Sequence, residues 1–470
     1  ASVKEQTLLF KDRVLPTLDN NIFDGNSLIN HDFYENSLFL TPRERRKINT
    51  FDWQDKEKGF ATIIAQGGFD FIIGNPPYVD YRVLSEEQAA YIRSKFVAAT
   101  VPEKWNLYVP FVELGSKLLK KQGVLGYILP NTFLASNFGV QLRKILLNNT
   151  QVQRIVDVSQ LKVFGSVATY PVLLFFRNQY QENNYLQIAY PKNIQEFYET
   201  DFELINQDKL NNIQNQYIIS TSFSNVGIDL ISKIQKNTKP LKLFCEKFIW
   251  GTSITGFKSY KIDETVYQKL TKKDKVLYHK VIQTADIKKF GIAWQGEYIK
   301  TEIYSENVKK EFAKDKIVIA RVTKQIQAMY DQEGYFLGKS SLLTGLQAHP
   351  LFLLAIINSQ VANYFYAIKF ENTHMAGGYL RFDIPYLEQL PIPIIDFNNK
   401  KHQNLHDDII KRTENLLLLN QQLQSLKVES DRKNTLQLIR YTERQLNELV
   451  FQLYELNTEE IILIQNHLKI

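Results

Sequence analysis

The sequence has very little cysteine, and its histidines are scattered. Cys245 is the one cysteine in 470 residues, so a framework of intrachain disulfides and a cysteine-rich zinc site are both excluded. The seven histidines show no HExxH or other paired spacing that would indicate a metal site. We therefore expect a protein of a reducing compartment that holds no metal.

Long apolar runs are also absent. The longest, such as Val172 to Phe176, are far too short to span a bilayer. The first residues lack the basic-then-apolar order of a signal peptide. These absences predict a cytoplasmic protein that has no membrane partner. The hydrophobic content of 44% is ample for packed interiors, and the length of 470 residues predicts two or three domains.

Positive charge is concentrated in one part of the chain. Between Thr271 and Tyr330 there are 13 Lys or Arg against seven Asp or Glu, which accounts for most of the net charge of +7. A localised basic surface is typical of proteins that bind a phosphate backbone. A solvated charged face explains the charge count alone equally well.

The composition and the pattern of apolar residues change along the chain and predict four regions. Residues 1–182 alternate short apolar strands with amphipathic helices, which is typical of an α/β sheet with helices on both faces. An Asn- and Gln-rich stretch, 183–238, predicts a connector with a few strands. Short strands within the basic, Tyr- and Phe-rich part predict a mixed α/β domain over 239–396. Residues 397–470 predict helices.

Apolar residues recur every seven positions in the last region. One series runs through Ile409, Leu416 and Leu423, and a second begins at Ile439 after the polar break "VESDRKN". This pattern predicts two helices that form an antiparallel hairpin. The hairpin either packs on its own domain or forms a seam with a second copy.

The stretch "NPPY", residues 75–78, follows "GFDFIIG", which predicts a short buried strand. Pro76 and Pro77 have no N–H, so they leave nearby carbonyls free, and the Asn75 side chain adds another acceptor. Loops at the carboxyl ends of strands are where α/β proteins bind ligands. Rigid acceptors suit the two hydrogens of a planar amine, and Tyr78 offers a face on which a base can stack. The alternative is a structural Asn-Pro turn.

Three segments of the first region resemble a known family. "FDFIIGNPPYVDY", residues 69–81, is similar to the catalytic motif of N6-adenine DNA methyltransferases of the TaqI type and of Type IIG restriction–modification enzymes, which use S-adenosylmethionine. "NIFDGNSLI", residues 21–29, is similar to the family's motif near the cofactor, which assigns Gly25 and Asn26 to cofactor binding. "LKVFGSVATYPVLLFF", residues 161–176, resembles the segment whose phenylalanine, here Phe164, covers the flipped base.

The resemblance implies a mechanism. An adenine is flipped out of double-stranded DNA, and Asn75 Oδ1 and the Pro76 carbonyl accept its two amino hydrogens. Tyr78 and Phe164 sandwich the ring while the amine attacks the methyl group of S-adenosylmethionine. Asn75 also contributes to the cofactor site.

The distal half extends the resemblance to a TaqI-type target-recognition domain. "GLQAHPLFLLAIINSQVANYFY", residues 345–366, and "GGYLRFDIPYLEQLPIPI", residues 377–394, resemble the end of such a domain. Arg321 and Lys324, which follow the strand "KIVIA", and Arg381 are the predicted DNA contacts. The alternative for each is a surface charge with no role in DNA binding.

The Gly-rich cofactor loop of this family is not found in the sequence. Gly67-Gly68 and Gly377-Gly378 lack its spacing and its strand–helix context. We therefore expect an incomplete Rossmann-like methyltransferase sheet, then a mixed α/β target-recognition domain and a C-terminal helical hairpin. The missing cofactor half, with any nuclease, would lie on an upstream segment or a companion subunit, so the isolated chain is expected to be inactive. A DNA-binding specificity module, or methylation of a protein glutamine or an RNA adenine, is the alternative.

Overall fold

The computed structural model describes most of the chain as two compact units. Unit 1 is Ala1–Asn225 and unit 2 is Val226–Ile470. The described residues are 21–36, 41–101, 104–161, 163–165, 170–199, 201–210, 217–220, 224–252, 258–370, 374–375 and 378–469.

The described part of unit 1 is built on one mixed sheet of six strands. In chain order these are β1 (Phe69–Gly74), β2 (Leu119–Pro130), β3 (Gln151–Asp157), β4 (Pro171–Arg177), β5 (Tyr185–Ala189) and β6 (Glu203–Asn206). Their order across the sheet is β1-β2-β4-β3-β5-β6. β1 pairs in parallel with β2 and β3 with β5, whereas the other neighbours are antiparallel. The helices of this unit are α1 (Pro42–Ile48), α2 (Ala61–Ala65), α3 (Glu86–Lys95), α4 (Tyr108–Leu118), α5 (Val140–Asn149), α6 (Ile194–Glu199) and α7 (Gln207–Leu210).

Helices α4 and α5 form the packed core of unit 1 together with β2 and β3. Val109 and Val112 lie one turn apart on α4 and are fully buried, as Leu142 and Leu146 are on α5. Gly115 allows α4 to approach the sheet closely, because a Cβ there would lie 2.3 Å from Leu125 Cδ1.

β1 is an exposed edge strand, so the prediction that "GFDFIIG" is buried is wrong. Phe71 is 74% exposed and Ile73 is 90% exposed. β1 pairs with β2 on one side, and no second strand flanks it in the described part of the chain. Its apolar composition is that of an interior strand, which normally lies between two others. β1 is therefore an edge strand of the described sheet that carries exposed apolar side chains.

The helical spacing of apolar residues in "NLYVPFVELGSKLLKKQG", residues 106–123, predicts a helix that ends at Gly123, but α4 is shorter. The helix ends at Leu118 and the chain becomes extended from Leu119, which is buried and pairs with Phe69 at the start of β1. Gly123 lies within β2 and allows that strand to approach β1 closely. A Cβ at this position would lie 2.8 Å from the Phe69 carbonyl oxygen.

The segment 183–238, predicted to be a connector with a few strands, contributes β5 and β6 to the sheet of unit 1. Helix α8 (Asn225–Gln235) follows at the start of unit 2. The boundaries of the four predicted regions stay predictions.

The described part of unit 2 contains several small sheets. Its strands are β7 (Thr238–Pro240), β8 (Cys245–Trp250), β9 (Lys261–Asp263), β10 (Tyr278–Ile282), β11 (Ile287–Lys288), β12 (Gly291–Ile292), β13 (Glu297–Lys300), β14 (Lys316–Ala320), β15 (Val322–Thr323), β16 (Ala328–Asp331), β17 (Phe336–Leu337), β18 (Ser340–Leu346), β19 (His374–Met375), β20 (Tyr379–Arg381) and β21 (Pro391–Pro393). The largest sheets have the orders β17-β10-β13-β9 and β16-β14-β18-β8, and a smaller one has the order β15-β20-β19. Phe312, Val318 and Phe336 belong to the apolar core.

Helices complete unit 2. After α8 they are α9 (Glu264–Gln268), α10 (Lys272–Lys275), α11 (Glu306–Phe312), α12 (Pro350–Asn358), α13 (Gln360–Lys369), α14 (Ile384–Leu387), α15 (Lys400–Ser425), α16 (Glu429–Leu453) and α17 (Thr458–Leu468). Among the described residues no single helix is long and apolar enough to cross a membrane. The bent pair α12 and α13 meets that criterion only when the two are taken together, by length and composition.

The predicted helical hairpin is confirmed by α15 and α16, which pack against each other. Ile409 and Leu416 of the first helix are fully buried, and Ile439 and Leu446 of the second are nearly so. α15 also packs on α12 within the same unit. The seven-residue pattern is therefore used inside unit 2.

Candidate active site and nucleic-acid interface

The segment 75–78 follows the carboxyl end of β1 and carries the predicted hydrogen-bond acceptors. Pro76 is buried, whereas the Asn75 side chain is exposed. Within the described residues, no donor reaches the side-chain oxygen of Asn75 or the carbonyl oxygen of Pro76. The loop therefore presents rigid hydrogen-bond acceptors that are free to bind another molecule.

The position of this loop is set by a close contact between β1 and β2. Gly74 pairs with Tyr127, and a Cβ on Gly74 would lie 2.8 Å from Tyr127 Cε1. Tyr127 is buried. Only glycine, which has no Cβ, allows the end of β1 to lie this close to the Tyr127 ring. Gly74 thereby sets the position of Asn75, the next residue.

Tyr78 and Phe164, the predicted pair of base-stacking residues, are brought together. Their ring centroids are 6.0 Å apart and the ring planes are 85° apart. Because the rings meet edge to face and are in contact, a flat base enters between them only if one ring turns and moves away from the other. Phe164 is the better candidate to turn, since it lies in a partly exposed turn beside Gly165, whose φ is +64°.

A second aromatic contact fixes the other side of Tyr78. The ring of Tyr108 on α4 lies 6.3 Å from that of Tyr78 at 76°, and its hydroxyl lies 3.1 Å from that of Thr132. Burial raises the pKa of Tyr78 to about 12, so the phenol is neutral at physiological pH. Sequence reasoning missed Tyr108 and Thr132. Tyr108 falls on the apolar face of a predicted helix, where an aromatic residue signals packing.

Gly25 and Asn26, the predicted cofactor residues, lie on a separate segment. Asn26 forms an isolated parallel bridge with Thr50, and its Oδ1 accepts a hydrogen bond from the Leu28 N–H at 3.2 Å. A Cβ on Gly25 would lie 2.8 Å from Phe51 Cβ. No hydrogen bond among the described residues joins this segment to Asn75.

The three predicted DNA contacts lie together in unit 2. β15 pairs with β20, with Val322 opposite Arg381, so Arg321 and Lys324 flank the strand opposite Arg381. The Arg321 guanidinium lies 4.7 Å from the Trp250 ring centroid, and Lys324 Nζ lies 5.8 Å from that of Tyr379. Cations beside exposed aromatic rings form a surface suited to nucleic acid.

Other charges of the basic block are used within the fold. Lys316 is buried in an ion pair with Asp331 at 2.5 Å, and Lys314 pairs with Glu311 at 3.0 Å. The count of basic residues therefore overstates the positive charge that unit 2 offers to a ligand.

Comparison with known proteins finds relatives for both units. Residues 3–164 match the Eco57I restriction-modification methylase family, and residues 279–392 match the TaqI-like C-terminal specificity domain. The predicted resemblance to restriction–modification methyltransferases is thereby confirmed.

Two curated relatives show the same likeness. The chain is 29% identical over 222 residues to the type II restriction enzyme and methyltransferase RM.Eco57I of Escherichia coli, covering 46% of this chain and 19% of the relative. It is 27% identical over 248 residues to the type II methyltransferase M.BstVI of Geobacillus stearothermophilus, covering 49% of this chain and 43% of the relative. The chain thus spans less than half the length of either relative.

The fold also resembles that of a solved structure with low sequence identity. The chain is similar to the Type IIL restriction-modification enzyme MmeI, solved in complex with DNA, with a TM-score of 0.51, 12% identity and coverage of 85% of this chain and 57% of that one.

Proposed function

We propose, from the likeness of both units to restriction–modification methyltransferases, that this chain is part of an enzyme that methylates N6 of adenine in double-stranded DNA and uses S-adenosylmethionine. The observation that carries the proposal is the pair of unengaged acceptors at Asn75 and Pro76 beside the ring of Tyr78. We place the enzyme in the cytoplasm, where DNA and the cofactor are both available.

In this mechanism the target adenine is flipped out of the duplex, because its amino group is not accessible to the loop inside the stack. Asn75 Oδ1 and the Pro76 carbonyl oxygen each accept a hydrogen bond from the amino group, and the two bonds orient the lone pair of its nitrogen. Tyr78 and Phe164 stack on the base. When bound, S-adenosylmethionine supplies an electrophilic methyl group. The residues of this chain contribute positioning and electrostatics, and they form no covalent intermediate.

The cofactor side of the site is only partly supplied by the described residues. Gly25 and Asn26 would contact S-adenosylmethionine, but Asn26 already uses its side-chain oxygen within its own turn. The exposed Phe71 and Ile73 on β1 support a proposal in which further strands continue the sheet there. We propose that an upstream segment or a companion subunit supplies these strands and that the isolated chain is inactive.

Cofactor binding tests this division. We expect no heat of S-adenosylmethionine binding with the isolated chain, and binding once the segment that continues the sheet at β1 is added, as measured by titration calorimetry. Replacing both Phe71 and Ile73 with lysine should prevent the restoration, because charge on β1 opposes its burial. Val97→Lys is the matched control, since Val97 is 54% exposed in the same unit. Tight binding by the isolated chain contradicts the proposal.

The stacking role of Phe164 gives a second test. Phe164→Ala in the complete enzyme should lower kcat/KM for DNA methylation by roughly 5- to 150-fold, since stacking on one base is worth about 1–3 kcal/mol. With 2-aminopurine at the target position, the flipped base should fluoresce more strongly in the variant because one quenching ring is lost. Val163→Ala, at the exposed neighbour, is the control. Equal rates and equal fluorescence would assign Phe164 to packing.

A specificity module without its own catalysis is the second candidate. The cation and aromatic surface of unit 2 favours it, since DNA recognition needs nothing from segment 75–78. Failure of the completed enzyme to methylate duplex DNA, with sequence-specific binding retained, would select this candidate. Methylation of RNA or of a protein glutamine by the completed enzyme would select a different substrate for the same loop.

A further inference from the structure

Two arginines of unit 2 share one carboxylate. Arg321 Nε lies 3.0 Å from Asp383 Oδ1, and Arg381 Nε lies 2.7 Å from Asp383 Oδ2. Each carboxylate oxygen therefore takes one guanidinium. Asp383 is nearly buried, with 12% of its side chain exposed, whereas the Arg321 and Arg381 side chains are 31% and 51% exposed.

Asp383 does not use its side chain in the usual way for its position. It is the N-cap residue of α14, where an aspartate normally accepts a hydrogen bond from a backbone N–H of the first turn. Here the side chain makes no capping bond. The carboxylate is directed to the two arginines instead, and the helix forgoes a cap for that contact.

The base of this cluster is rigid. The Phe382 N–H donates to the Arg321 carbonyl at 2.7 Å, and Phe382 is fully buried. The Tyr366 hydroxyl donates to the Arg381 carbonyl at 2.7 Å. Trp250, 39% exposed, lies beside the Arg321 guanidinium. The backbones of Arg321 and Arg381 and the side chain of Arg321 are thus held in place before any ligand binds.

The way the arginines are held leaves their outer edges available. Both guanidinium groups contact Asp383 through Nε, and among the described residues no hydrogen bond is recorded from their terminal nitrogens, which leaves these nitrogens for a two-bond contact. A patch for phosphates gains from every positive charge, and a carboxylate between the cations weakens it. A guanidinium held in one orientation is instead well placed to donate two hydrogen bonds to the paired acceptors O6 and N7 of guanine in the major groove.

We propose that Asp383 is a positioning residue that orients Arg321 and Arg381 to bind the O6 and N7 edge of guanine in the target sequence. The inference rests on the proposed function, since it specifies how the recognition domain of a DNA methyltransferase selects its site. Asp383 touches no base itself. It sets the direction in which both guanidinium groups point.

The test compares Asp383→Asn with the wild-type chain on a pool of short duplexes with a randomised core, followed by sequencing of the bound fraction. Wild type should enrich a motif that contains guanine. Asp383→Asn should bind the unselected pool at least as well, because one negative charge is removed, yet lose roughly 10- to 100-fold discrimination at guanine positions. Glu302→Gln, which removes one charge from an exposed pair with Lys300 in the same unit, should keep the wild-type motif.

Arg381→Lys provides an independent variant, because it keeps the positive charge but removes the planar guanidinium that donates two parallel hydrogen bonds. It should lose discrimination at the guanine that Arg381 contacts and keep it at the guanine that Arg321 contacts. An unchanged motif in Asp383→Asn or in Arg381→Lys overturns the inference and leaves the proposed function standing. Equal loss for every sequence assigns the arginines to phosphate contacts and overturns it too. Absence of any duplex binding, both by the wild-type chain and by the enzyme completed with the segment that continues the sheet at β1, instead overturns the proposed function, and the inference fails with it.

Discussion

Asn75→Ala in the complete enzyme is expected to slow methyl transfer by at least about 10²-fold and to leave the affinity for duplex DNA unchanged. The variant removes one of the two acceptors that hold the amino group, and no described residue takes its place. Removing a single preorganised hydrogen-bonding group from an active site typically costs about 10²–10³-fold in kcat. Transfer of a labelled methyl group to DNA under single-turnover conditions measures this effect on the chemical step.

Two further variants separate the acceptor from the fold. Asn75→Asp keeps an oxygen at the same place, so we expect it to retain more activity than Asn75→Ala. Asn149→Ala, at an exposed position at the end of α5, should behave as wild type. The exposure of Asn75 makes a stability effect small. Near-wild-type turnover by Asn75→Ala would show that the methyl acceptor is held elsewhere.

The sequence predicts the acceptor loop and its aromatic partners because their chemistry is local. Two prolines and an asparagine after an apolar strand have these properties in any context, and Phe164 was identified by resemblance to a family segment. Tyr108 was missed, since its contact with Tyr78 depends on how α4 packs on the sheet. No local pattern distinguishes such a residue from an ordinary core aromatic.

The exposed β1 and the shared carboxylate of Asp383 show why the remaining features could not be predicted. Burial of Phe71 and Ile73 depends on what packs against their face of the sheet, and their own apolar character does not determine it. Asp383 before a short helix looks like a cap, and only the pairing of β15 with β20 brings Arg321 to it. Non-local pairings of this kind leave no spacing signature in a single sequence.

Asp331→Ala should strongly destabilise unit 2. Lys316 Nζ lies 2.5 Å from Asp331 Oδ2, and neither side chain is exposed to solvent. The same carboxylate accepts backbone N–H bonds from Glu333, Gly334 and Tyr335 at 2.9, 3.1 and 3.0 Å. Its removal leaves a buried ammonium without its anion and frees the turn after β16, so we expect a loss of about 3–5 kcal/mol.

Amide hydrogen exchange on β14 and β16 is the suitable measurement, because a chain of two units does not unfold in one transition. Lys316→Met should cost less than Asp331→Ala, since the carboxylate keeps its three backbone donors. The double variant should cost less than the sum of the two, because neither charge is then left alone. Glu333→Ala is the control, for its pair with Lys280 is exposed and worth at most about 1 kcal/mol. Equal losses of stability for Asp331→Ala and Glu333→Ala would mean that the Lys316 ammonium finds water or another acceptor. The buried pair would then contribute nothing to the stability of the sheet.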